Sequence, residues 1–151
     1  MLFYIFYIGF STFLFFFISI AQFFNKKIKL HLRDESSSIK KVLNVLSKID
    51  RTKKKIIIFH AASAGEYEQI KPILKKINRG KYFLIQTFTS PTIYSKELNS
   101  DLFDICCYHP FDIWWKSYSF FNRIKPDIYC ITRHDIWPIH LFITKKLKIK
   151  S

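Results

Sequence analysis

Four short stretches hold nearly all the uncommon polar or small residues in the globular part of this 151-residue chain: HAASAGE (60–66), TFTSPT (87–92), YHPFD (108–112) and TRHDIWP (132–138). In the first, Glu66 closes a run of small residues just where a helix is predicted to start. The positive end of a helix dipole keeps a carboxylate ionised. An ionised carboxylate beside a cleft suits a general base that takes a proton from an acceptor hydroxyl. The plainer reading is a glutamate that merely complements its helix, as structural carboxylates often do. Ser63 and Gly65 offer backbone N–H groups, and the small residues would let the chain turn tightly and a bulky acceptor come close. The phosphate-binding patterns GxGxxG and GxxxxGK(S/T) are absent, and Glu66 occupies the spot an anion would take.

The fourth stretch carries Arg133, a candidate anion clamp, beside His134 and Asp135. Neighbours on a strand point to opposite faces, so His134 and Asp135 are not expected to pair. No nucleophile is arranged with a base, which argues against a hydrolase triad. His60, His109, His134 and His140 lack a ligand spacing, so no metal site is expected. Cys106, Cys107 and Cys130 lie in apolar runs without metal or redox spacing and read as buried thiols of a reducing compartment.

These stretches need a frame. Apolar runs predict strands over 56–60, 82–89, 104–109 and 127–133. Between them fall helical patterns over 66–78 (interrupted by Pro72), 91–98, 112–124 and 138–146, two of them opened by Pro91 and Pro138. Alternation of this kind predicts an α/β fold with a Rossmann-like, doubly wound parallel sheet. Ligands of such sheets bind outside the carboxyl ends of the strands, where all four stretches lie. Strand-to-helix loops carry polar caps in any case. KIKS (148–151) reads as the start of a further strand, which would leave the fourth or the second strand as an exposed edge.

The remaining segments are of other kinds. Residues 1–24 contain no charged side chain and predict a membrane-spanning helix, ~36 Å long against ~30 Å of hydrocarbon. A cleaved signal peptide would need a basic start and a small-residue cleavage site, and neither is present. Lys26, Lys27, Lys29 and Arg33 follow, which sets this flank and the domain after it on the cytoplasmic face of the membrane. Residues 25–54 form a basic linker in which Ser36-Ser37-Ser38 caps an amphipathic helix bearing Ile39, Val42, Leu43, Leu46 and Ile49. Its stripe is expected to pack on the domain, residues 55–151, rather than lie in the membrane interface. The net charge of +14 comes from scattered lysines, which favours anionic lipid over nucleic acid as the partner.

Taken in order, HAASAGE, a helix with Pro72, FTSPT, YHPFD and KPDIYCITRHDIWP resemble the amino-terminal domain of the bacterial 3-deoxy-D-manno-octulosonic acid (Kdo) transferases, across the apolar anchor and residues 55–146. The resemblance implies the acceptor half of a two-domain GT-B-type fold of the inner membrane, preceded by a membrane anchor. It implies inverting transfer of Kdo from CMP-Kdo to lipid IVA, the lipid A precursor, without a metal or other cofactor. Glu66 matches the family's catalytic base. Trp137-Pro138 match a pair that follows a Glu-x-Glu pattern; Asp135 matches its second acid, and Arg133 stands at the first. Ser63, Gly65, Thr89, Ser90, Pro91 and Arg133 are then expected to bind the acceptor. CMP-Kdo is expected to bind a second domain absent from this chain, which reads as truncated, with a separately encoded donor-binding domain as one partner. A non-catalytic, membrane-anchored module for anionic lipid, or an inactive remnant, is the alternative.

Overall fold

The computed structural model describes residues 2–132 and 136–151, apart from the side chains of Leu2, Phe3 and Ile5. Arg133, His134 and Asp135 lie outside the described residues, and with them the expected anion clamp and second acid. Two helices, α1 (Leu2–Ala21) and α2 (Lys26–Leu46), precede an alternating series: β1 (Lys55–Ala61), α3 (Ala64–Leu74), β2 (Tyr82–Phe88), α4 (Pro91–Glu97), β3 (Ile105–Tyr108), α5 (Trp114–Ile124), β4 (Ile128–Ile131) and α6 (Pro138–Lys146). The four strands form one all-parallel sheet in the order β3-β2-β1-β4. This is the predicted α/β, Rossmann-like arrangement.

Strand alternation divides the apolar side chains between two layers. Ile56, Ile58, Ile85, Cys107 and Tyr129 pack with Val42 and Leu46 of α2, Phe120 and Phe121 of α5, and Ile139 and Ile143 of α6. Ile57, Phe59, Leu84, Phe88 and Tyr108 pack on the other face with Tyr67 and Ile70 of α3 and Ile93 and Tyr94 of α4. β1 and β2 are covered on both faces, which is why they read as unbroken apolar runs.

The amphipathic helix differs from its expected form. It begins at Lys26, capped by Asn25, whose Oδ1 accepts from the N–H groups of Lys27 and Ile28. The three serines lie inside it. Ser37 and Ser38 direct their hydroxyls to the carbonyls of Asp34 and Glu35, which lets these cap-forming residues sit mid-helix. Its apolar stripe packs on the domain.

The sheet margins also differ. β2 is interior, and the margins are β3 and β4. α2 runs along β3, and the Oγ of buried Ser38 accepts the N–H of Tyr108 at 3.1 Å. On the β4 side Lys150 forms a single parallel bridge with Ile128: Tyr129 N–H donates to Lys150 O at 2.8 Å. Ser38→Ala leaves the Tyr108 N–H inside the protein without an acceptor. A loss of about 1–3 kcal/mol is expected, read as a lower urea midpoint at unchanged slope.

The apolar run 1–24 forms α1 only as far as Ala21, and α2 leaves at 112°. Among the described residues no single helix is long and apolar enough to cross a membrane; α1 and α2 meet that requirement of length and composition only as a bent pair. One side of α1 rests on the domain, with Tyr4 against Phe142 and Phe15 against Trp115 at ring distances of 4.5 and 6.2 Å. The other side leaves Phe6, Phe10, Phe13 and Phe16 exposed.

Candidate functional site

β1 ends at Ala61, and the chain turns through Ala62 into Ser63, the N-cap of α3. Ser63 and Glu66 form a reciprocal capping box. Ser63 Oγ accepts the Glu66 N–H at 3.3 Å, and Glu66 Oε2 accepts the N–H groups of Ser63 and Ala62 at 3.0 and 2.6 Å. The carboxylate thus folds back over the helix start and occupies the anion position expected from the sequence. All the hydrogen bonds of this carboxylate among the described residues fall on Oε2, so Oε1 is left for another partner.

Gly65 adopts an ordinary backbone conformation. No glycine among the described residues has a positive φ, so this turn does not depend on glycine's backbone freedom. A Cβ built at Gly65 would meet nothing within 4 Å, so the space in front of it is open.

β2 delivers Thr89, Ser90 and Pro91 beside this turn. Ser90 is the N-cap of α4 but makes no side-chain capping bond, and Pro91 supplies the first helical position, where the missing N–H costs nothing. The Oγ1 of Thr89 is buried with no hydrogen-bond partner among the described residues. Buried hydroxyls are normally paired, so this one is an exception in the groove's wall. Thr89, Ser90, Pro91 and Ala62 line one groove of about 250 Å³, closed by Lys27, Ile28 and His31 of α2 and by Phe111. Three of the expected acceptor residues therefore share a groove; Ser63, Gly65 and Glu66 follow Ala62 but are not among its walls.

The α2 wall was not anticipated from sequence. His31 Nδ1 donates to Thr89 O at 2.8 Å, a carbonyl being able only to accept. Its Nε2 lies 3.6 Å from Glu35, whose carboxylate takes Lys116 Nζ at 3.0 and 2.9 Å. Burial works against the Glu35 charge, but the adjacent His31 ring and the hydrogen-bonded Lys116 ammonium prevail and hold its pKa below the ordinary value. The only sequence signal was the i,i+4 spacing of His31 and Glu35 in a segment read as a basic flank.

A second cluster fills the carboxyl end of the sheet. His60 and His109 stack at 3.9 Å, His140 meets His109 at 4.6 Å, and the Tyr129 hydroxyl is 3.0 Å from His109 Nε2. Among the described residues no group of three or more His, Cys, Asp or Glu could hold a metal ion. Burial, then the neighbouring His60 ring, push the pKa values of His109 and His140 well below the ordinary value. Asp112 lies 3.4 Å from His140 and would favour its charged form, but desolvation of a ring with no exposed surface outweighs it. Both rings are neutral in the folded protein and gain protons on unfolding. Their contribution is complete above the unfolded pKa of about 6.5 and is lost as pH falls below it. The urea midpoint is expected to drop from about pH 7.5 to 5.5; a flat profile would contradict this. Burial also raises the Cys107 thiol well above its usual range and Cys106 to about 11, so both stay protonated.

Comparison with known proteins gives two matches. The profile of a family described as 3-Deoxy-D-manno-octulosonic-acid transferase (kdotransferase) matches residues 37–151. A curated 3-deoxy-D-manno-octulosonic acid transferase of Aquifex aeolicus (strain VF5) is 30% identical over 92 residues, covering 60% of this chain and 26% of the relative. The chain thus aligns with about a quarter of that relative's length. No solved structure matches it.

Proposed function

Because this chain belongs to the 3-deoxy-D-manno-octulosonic-acid transferase family, we propose that it is the acceptor-binding part of a glycosyltransferase of lipopolysaccharide biosynthesis. The reaction is transfer of Kdo from CMP-Kdo to lipid IVA at the cytoplasmic face of the inner membrane. The observation that carries this reading is the groove beside the Glu66 turn, with the buried, unpaired Thr89 hydroxyl in its wall. Thr89, Ser90 and Pro91 shape the acceptor pocket, and the open space before Gly65 admits the sugar. Glu66 takes the proton of the attacking hydroxyl, with Oε2 held by two amides and Oε1 available. Asp135 and Arg133 contribute a second acid and an acceptor contact. CMP-Kdo binds a further domain, in the same or another chain, and no metal takes part. The exposed aromatic side of α1 and the basic start of α2 hold the protein to anionic lipid.

A second reading, a lipid-binding module without transfer, is favoured by the capping box, which by itself accounts for a carboxylate at position 66. The test is incubation of the complete gene product with CMP-Kdo and lipid IVA, followed by mass analysis of the lipid. Addition of Kdo supports the transferase; retained lipid binding with no mass gain supports the module.

A further inference from the structure

We propose that the hollow between α1 and the loops at the carboxyl end of the sheet seats one acyl chain of a phosphorylated lipid, with the lipid's phosphate at Lys27. The proposal rests on the acceptor reading above and extends it by assigning the lipid's chain to α1. A hollow of about 330 Å³ lies between α1 and the loops at the carboxyl end of the sheet, walled by Tyr7, Leu14, Ile18, Phe111, Ile136 and Trp137. Phe111 is also a wall of the groove that holds Thr89 and Ser90, so the two spaces adjoin across one ring.

The two sides of that ring differ in what they ask of an occupant. In the α1 hollow the polar groups are already engaged. Ser11 Oγ donates to Ile8 O at 3.0 Å, and Asp112 accepts from two backbone N–H groups of α6 and is bonded to Tyr7. A hydrocarbon chain leaves none of them unpaired. Beyond Phe111 stand exposed Lys27 and the groove lined by Thr89, Ser90 and Pro91, which suit a phosphorylated sugar. A single extended hydrocarbon chain is thin enough to lie in a hollow of this size. The exposed Phe6, Phe10, Phe13 and Phe16 give the hollow an apolar approach along α1.

The experiment uses the complete gene product and lipid IVA with a photoreactive group on an acyl chain, alongside the deacylated bisphosphate sugar. Cross-links are expected on Leu14, Ile18, Phe111 or Ile136. Leu14→Trp, which fills the hollow from a partly exposed position, is expected to weaken lipid IVA binding about ten-fold or more, and the outward-facing Phe13→Trp less than about two-fold. Binding of the deacylated sugar is expected to be weak and equal in all three proteins. Cross-links confined to Phe6, Phe10 and Phe13, found on the unmutated protein and so independent of any folding defect, overturn the proposal. So does a lipid affinity unchanged in a folded Leu14→Trp protein. Cross-links in the hollow without Kdo transfer uphold the acyl-chain site and overturn the transferase reading. Transfer with cross-links only on the outer face does the reverse.

Discussion

In Glu66→Gln, Kdo transfer by the complete gene product is expected to fall about 10²–10⁴-fold, the usual share of a general base, with thermal stability nearly unchanged. The substitution separates the two things this side chain can do. A glutamine amide still presents an oxygen to the N–H groups of Ala62 and Ser63, and capping boxes accept either residue. It cannot take a proton from a hydroxyl. If the carboxylate only closes the start of α3, activity survives and the capping bonds are its whole purpose. Glu66→Ala is the companion measurement: it removes both roles, and its stability loss of about 1 kcal/mol isolates the cap. Transfer rates and melting curves on the two variants therefore assign the roles independently.

Asp112→Ala is expected to destabilise the domain by about 3 kcal/mol or more, a larger loss than any other single polar truncation proposed for it. α6 begins with Pro138, which has no N–H, and the Leu141 N–H already bonds to Trp137 O. The N–H groups of Ile139 and His140 remain, and both donate to the buried carboxylate of Asp112, at 3.1 and 2.9 Å. Trp137 sits at the N-cap but provides no side-chain bond. Asp112 thus caps α6 from the loop that leads into α5. Removing it leaves two buried donors without acceptors. Asp112→Asn keeps one acceptor oxygen and should lose about half as much. Urea unfolding of the three proteins measures both steps; equal midpoints would show that α6 finds another cap.

The frame was legible because β1 and β2 are covered on both faces and therefore read as apolar runs, while Pro91 and Pro138 marked helix starts. Two kinds of feature were not legible. One is the cap supplied from far away in sequence: Asp112 reads as an ordinary loop acid, and only the packing of α5 against α6 gives it a helix to close. The other is the segment whose local preference yields to its surroundings. Ser36-Ser37-Ser38 has the composition of a helix start, yet Asn25 begins the helix and the serines lie within it because α2 is held against the sheet. That shift brought His31 and Lys27 to the groove wall, where the sequence had offered a basic flank. Thr89, Ser90 and Pro91 were found together because the carboxyl end of a parallel strand is a predictable place.

The Ser38 clasp on β3 gives the sheet a direction of growth. With α2 lying along that margin and a serine hydroxyl taking the Tyr108 N–H, no strand from another molecule can dock there without first peeling the helix away. The opposite margin is chemically different: β4 already receives the backbone of Lys150 in parallel orientation. One flank is thus sealed against aggregation, while the other serves as a template whose register is set by Ile128. A strand that continues the bridge at Lys150 lies beside β4 and runs in the same sense.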